Sequence, residues 1–142
     1  MNWIDAKQNH PPIGERVLGL DDKGRMETMT YSEAKGTAYY APSHHPSEVT
    51  HWTIMDEEML EGWKACGGGR EPIMHTILVR DKLGNIRTDF FRRAKKRDPL
   101  TLDSGRDMAD LEWREMPESP FKRIERRKTK FSMSMYRQHW EV

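Results

Sequence analysis

At 142 residues, with 35% hydrophobic and 33% charged positions, the chain has material for one small domain with a thin core and a heavily charged surface. Five Trp set it apart from disordered chains, and a single cysteine, Cys66, excludes a disulfide-stapled scaffold and fits a reducing compartment. The net charge of +1 conceals an asymmetry: residues 1–62 carry five Lys/Arg against eleven Asp/Glu, residues 63–142 nineteen against twelve.

The opening Met-Asn-Trp-Ile-Asp has neither the basic start nor the apolar stretch of a secretory signal. No later run approaches the roughly 18–20 apolar residues of a membrane span. The expectation is a soluble cytoplasmic protein without membrane contact. Arg16–Leu20 then runs through Asp21-Asp-Lys-Gly24 into the alternating stretch Arg25–Tyr31, the pattern of a β-hairpin. Met26, Thr28 and Thr30 fall on one face of that second strand; Glu27, Met29 and Tyr31 fall on the other. Residues 36–48 hold a short aromatic strand at 38–41 and a Pro-punctuated loop, and Val49–Ile54 reads as a closing strand. Residues 56–65 place Met59, Leu60 and Trp63 at helical spacing behind a run of acids, which predicts a short helical turn. Cys66-Gly-Gly-Gly69 follows as a flexible joint; without a succeeding Lys-Ser/Thr it lacks the pattern of a phosphate-binding loop. Thr76–Arg80, Asp81–Gly84 and Asn85–Phe91 predict a second hairpin, residues 96–109 a charged loop and Leu111–Met116 another closing strand. Pro12 and Pro72 stand just ahead of the two hairpins, where proline is tolerated. Residues 121–142 carry seven Lys/Arg against Glu125 and Glu141, and the alternation over 129–136 predicts a final strand. Such a strand could extend a sheet of this chain or of a second molecule, the route to a homo-oligomer.

The hairpins recur because the chain repeats itself. A shift of 60 residues pairs Trp3 with Trp63, Pro12 with Pro72, Ile13 with Ile73, Leu18 with Leu78 and Asp21 with Asp81. It also pairs Gly24 with Gly84, Thr28 with Thr88, and Ala34-Lys35 with Ala94-Lys95, where chance gives roughly two identities over such a span. Glycine at one turn position in both copies fits a residue held at positive φ. The division expected is a first unit at 1–58, a linker at 59–70, a second unit at 71–120 and a tail at 121–142. The fold expected is mainly β: two small antiparallel units joined by a short helical turn and a Gly-rich linker, sharing apolar surface. Trp3, Val17, Leu18, Tyr31 and Trp52 are expected in one core, and Trp63, Ile77, Leu78, Phe91 and Trp113 in the other.

Trp3-Ile4, the stretch Pro11-Pro12-x-Gly14-Glu15-Arg16-Val17-Leu18 and the closing Val49-Thr50-His51-Trp52 resemble the domain of unknown function 551 family. Those short domains, found mostly in bacteriophage and prophage proteins, typically open with Trp-Ile and end in Thr-His-Trp-Met-Pro-Leu-Pro. Here Trp52 is followed by Thr53-Ile54-Met55 without the prolines. The second copy keeps Trp113 and Met116-Pro117-Glu118-Ser119-Pro120 but has Glu112 in the histidine's place, so it looks like a degenerate second member. The resemblance implies a phage-encoded accessory protein in a bacterial host cytoplasm, and it brings no enzymatic activity with it.

Candidate chemistry is sparse. His44, His45 and His51, with His10 upstream, are the nearest approach to a metal constellation, but adjacent histidines on a strand cannot both face one ion and the second copy keeps none of them. Cys66 beside three glycines lacks the lowered pKa and oriented base of a nucleophile. Asp21 and Asp81 recur at the start of turns that end in glycine, which turn chemistry explains. Neither catalysis, metal nor cofactor is expected. The basic runs are the functional signal: Arg92, Arg93, Lys95, Lys96 and Arg97 first, then Lys122, Arg126, Arg127 and Lys128, with Phe90, Phe91, Phe131 and Tyr136 nearby. Cations beside aromatics suit single-stranded nucleic acid, while an acidic partner protein or the acidic first copy accounts for the same residues. The favoured reading is a non-enzymatic accessory protein that binds and inhibits a host protein, an anti-phage defence protein being one such target. The alternative is a nucleic-acid or nucleotide-binding module using the basic second half.

Overall fold

Two Asp-x-x-Gly turns organise the chain locally. In the computed structural model, which describes residues 2–42, 44–55 and 57–120 (Glu57 and Glu58 by backbone alone), Asp21 Oδ1 accepts the backbone N–H groups of Lys23 and Arg25 at 2.9 and 2.8 Å. Asp81 Oδ1 accepts those of Leu83 and Asn85, both at 2.9 Å. Gly24 and Gly84 complete the turns at φ 81° and 82°, a conformation that a side chain disfavours. Each turn closes a hairpin: β2 (Arg16–Asp21) with β3 (Met26–Ala34), and β7 (Thr76–Arg80) with β8 (Ile86–Arg92). The register Arg16↔Thr30 through Leu20↔Met26 recurs as Thr76↔Phe90 through Arg80↔Ile86, every position 60 residues later.

The remaining strands are β1 (Ile4–Asp5), β4 (Thr37–Ala41), β5 (Val49–Ile54), β6 (Lys64–Ala65), β9 (Thr101–Leu102) and β10 (Glu112–Glu115). The protein is mainly β, and its strands form an open antiparallel sheet in the order β1-β5-β2-β3-β8-β7-β10-β6, with β4 added to β3 and β9 to β8. That order is a palindrome once strands 60 or so residues apart are equated. Its centre is one register pair, Glu27↔Arg87, where β3 meets β8. The halves are therefore joined edge to edge within one sheet.

Alternation along the strands decides what each face buries. Leu18, Leu20 and Met26 of the first half join Leu78 and Ile86 of the second, with Met59, in one shared core. Trp3, Met55, Trp63 and Met116 pack over it. On the other face each half keeps its own cluster: Met29, Tyr31, Tyr40 and Val49 in one, and Ile77, Val79, Phe91, Leu102, Leu111 and Trp113 in the other. At Gly19 in β2 the Met29 thioether packs against the backbone, so a Cβ there would have to push Sδ of Met29 aside.

Several expectations need correction. Trp3 and Trp63 are half-buried rather than core, because each indole N–H reaches a backbone carbonyl at the rim: Glu118 O at 2.6 Å and Met59 O at 2.7 Å. Trp52 and Trp113 are buried. The segment 56–65 holds a 3-10 turn at Glu57–Leu60 that buries Met59, and then β6, which pairs with β10. Residues 59–70 thus contribute a sheet edge. The charged stretch 96–109 contains β9, fixed because Leu102 buries its side chain beside Phe91. The strand expected at 129–136 lies outside the described residues.

Candidate functional site

The basic run 92–97 starts where β8 ends. Phe91 and Arg92 pair with Leu102 and Thr101 of β9, and Phe91 is fully buried, its ring 5.9 Å from that of Trp113 in an edge-to-face contact. This anchors a loop that then leaves the sheet, tightened by Asp98 N–H donating to Lys95 O at 2.9 Å. Arg92 Nη1 donates to Asp103 Oδ1 at 3.1 Å, so its charge is already matched. Arg93, Lys95, Lys96 and Arg97 are all exposed, and among the described residues none of them forms an ion pair. The structure therefore separates Arg92 from the other four. Lys122, Arg126, Arg127 and Lys128, with Phe131 and Tyr136, lie outside the described residues.

Of the aromatic rings expected beside the cations, Phe91 is core and Phe90 is half-buried. Three of the candidate histidines have neighbours within the fold. His10 stacks on Tyr31 with centroids 4.8 Å apart, and His45 Nδ1 lies 2.8 Å from Ser47 Oγ at the start of a 3-10 turn. His44 Nε2 stands 3.6 Å from Glu27 Oε2. Among the described residues no group of three His, Cys, Asp or Glu is arranged to hold a metal ion. Burial, reinforced by Glu71 and Glu112, pushes the Cys66 thiol up to about 11, which leaves it protonated and a poor nucleophile near neutrality.

A feature that the sequence reading missed lies at the β3–β8 junction. On one side of the Glu27↔Arg87 pair, Arg16 reaches across to the second turn, with Nη1 3.3 Å from Leu83 O and Nη2 2.5 Å from Asn85 Oδ1. Ile86 N–H donates to Thr28 Oγ1 at 3.2 Å beside it, and that side is closed. On the other side Thr76 stands where Arg16 stands in the first half. A cavity of about 380 Å³ opens between Gly24, Met26, Thr76 and the segment Met116–Ser119. A second, of about 370 Å³, shares Thr76 with the first and is lined further by Arg25, Asp89, Phe90, Asp103 and Ser104. A polar third, of about 280 Å³, lies around Glu27, His44, Arg87 and Arg25. In the aligned repeat this shows only as Arg16 set against Thr76, one of many positions at which the copies differ.

None of the described helical turns is long and apolar enough to cross a membrane. No family model, no curated protein and no solved structure matches this chain.

Proposed function

We propose that the chain is a non-enzymatic binding protein that docks on an acidic surface of a partner protein through Arg93, Lys95, Lys96 and Arg97. The observation that carries this reading is the loop itself: four exposed cations that form no ion pair among the described residues, on a base fixed by buried Phe91 and by β9. Unmatched charge held on a rigid base costs little further ordering on association and speeds encounter with a complementary surface. The resemblance to the domain of unknown function 551 family suggests the setting, a phage protein blocking a host protein in a bacterial cytoplasm by covering its surface. Burial of Phe91 weighs against a single-stranded nucleic-acid groove at this loop, since such grooves stack bases on open rings.

The test is a pull-down from bacterial lysate, with and without nuclease. It uses the wild type and a variant with Arg93, Lys95, Lys96 and Arg97 all replaced by Glu. A protein partner retained after nuclease and lost in the variant is the expected result. Recovery of nucleic acid alone, with affinity falling steeply in salt as counterion release demands, overturns the reading in favour of a nucleic-acid module.

A further inference from the structure

The β3–β8 junction lies on the pseudo-two-fold axis that relates the halves, because Glu27 and Arg87, its register pair, are equivalent positions 60 residues apart. One position of the repeat therefore meets itself across the axis. It carries a carboxylate in the first copy and a guanidinium in the second, with Arg87 Nε 3.9 Å from Glu27 Oε1. Beside that pair, Asn85 Nδ2 donates to Asp81 Oδ2 at 3.0 Å, and its Oδ1 accepts Arg16 Nη2 from the other half at 2.5 Å. Arg25 holds Asp21 in the matching way, Nε to Oδ2 at 3.1 Å, but a guanidinium has no acceptor to offer a facing arginine. Lys23, in the place of Leu83, adds a further positive charge to the first turn.

These differences decide which halves can be joined. Leu18 and Leu78, and likewise Met26 and Ile86, are apolar at equivalent positions, so the shared core does not distinguish one copy from the other. The polar residues do. Two first halves joined in this way would set Glu27 against Glu27, and Arg16 against the Lys23 and Arg25 of the facing turn, on both sides of the axis. Two second halves would set Arg87 against Arg87 and give the acceptors of Leu83 and Asn85 only the short Thr76. Like charges directly opposite on a sheet destabilise the pairing. Unlike halves alone place opposite charges on the axis and an arginine over a turn able to accept it. A sheet edge is a general template for pairing, and choice between edges needs repulsion in the wrong pairs as well as attraction in the right one.

We propose that Glu27, Arg87, Arg16 and Asn85 make this junction an interface for unlike halves: the partner that fits the β3 edge is the β8 edge of a second copy of the repeat, and another first copy is refused. Thr28 Oγ1, which accepts Ile86 N–H at 3.2 Å, recurs as Thr88 and takes no part in the choice. The selection closes the chain on itself instead of joining it to other chains through like halves. It holds whatever the 93–97 loop binds.

The experiment uses the full chain with a sequence-specific protease site inserted after Gly62 and cut once the protein has folded. Only the link between the halves is then broken, and β6 stays with the half whose β10 it pairs. Native mass spectrometry and sedimentation over a dilution series should find one particle holding one of each half. Arg87→Glu sets Glu against Glu and leaves the contact of Glu27 with His44 alone; it should raise the dissociation constant about tenfold, as should Glu27→Arg. The two together restore opposite charges and should return to within about threefold of the wild type, a coupling that two unrelated losses of stability do not show. Lys35→Glu, on the distant β3–β4 turn, changes the net charge equally and should leave the constant unchanged. If the cut wild type separates or precipitates, the urea midpoints of the uncut wild type, both single variants and the double variant carry the same cycle. Undiminished pairing in the single variants, additive losses in the double variant, or particles of two like halves as abundant as mixed ones overturn the proposal.

Discussion

Trp113→Ala probes how the sheet holds its second half and the loop it presents. Trp113 is 3% exposed, pairs with Val79 on one side and Lys64 on the other, meets Phe91 edge-on, and carries Lys64 Nζ 4.9 Å above its ring. A buried Trp hides on the order of 200 Å² of mostly apolar surface, which at about 25 cal/mol per Å² corresponds to roughly 5 kcal/mol. Truncation of such a side chain is expected to cost about 3–5 kcal/mol, a large share of the roughly 5–15 kcal/mol that holds a domain together. In urea, followed by circular dichroism, the midpoint should fall by about 2 M for an m-value near 2 kcal/mol/M. Trp63→Ala, at a half-buried ring over the rim, should cost less than half as much. Because Leu18, Leu20, Leu78 and Ile86 share one core across the junction, both variants should still unfold in a single transition. A cost below about 1 kcal/mol for Trp113→Ala, an equal cost for Trp63→Ala, or a two-step transition in which the first half outlives the second would refute the reasoning.

Gly19→Ala should destabilise by about 1–3 kcal/mol through overpacking against Met29, and Met29→Ala in the same chain should cancel part of that loss, a non-additivity read from a double-mutant cycle. Burial, and then the neighbouring Tyr31, raise the Tyr40 phenol from its usual 10.0 to about 12, so folding favours the protonated form. Its contribution to stability is complete below pH 10 and is lost as pH rises towards 12; Tyr40→Phe should flatten alkaline unfolding across that window, and an unchanged profile would count against the burial. The Cys66 thiol, raised to about 11, should react with a disulfide reagent slowly at neutral pH and faster as pH approaches that value; fast labelling at pH 7 would contradict its packing among Leu100 and Met108.

The parts of the fold legible in the sequence are those set by residues close together in the chain. The two hairpins follow from Asp-x-x-Gly turns, in which the Asp carboxylate and the Gly backbone act within four residues, and from alternation long enough to show which side chains share a face. The closing strand at 49–54 and the buried positions Val17, Leu18, Ile77, Leu78 and Phe91 were readable for the same reason. The basic run was equally visible, since exposed charge needs no partner to be recognised.

Tertiary structure decided whatever depends on residues meeting from far apart. Two-residue strands such as β1 and β6 carry no periodicity; they exist because β5 and β10 offer them an edge. Trp3 is half-buried because its indole finds the carbonyl of Glu118, 115 residues away, and no local pattern announces that bond. Arg92 differs from Arg93, Lys95, Lys96 and Arg97 only because β9 brings Asp103 beside it. The mismatch of Arg16 and Thr76 was present in the aligned repeat. It acquires meaning only when the sheet sets each strand opposite the other half's turn, with an arginine across Gly84 at one side and open space over Gly24 at the other. Local stereochemistry is written within a few residues, whereas a contact across two strands requires the register that joins them.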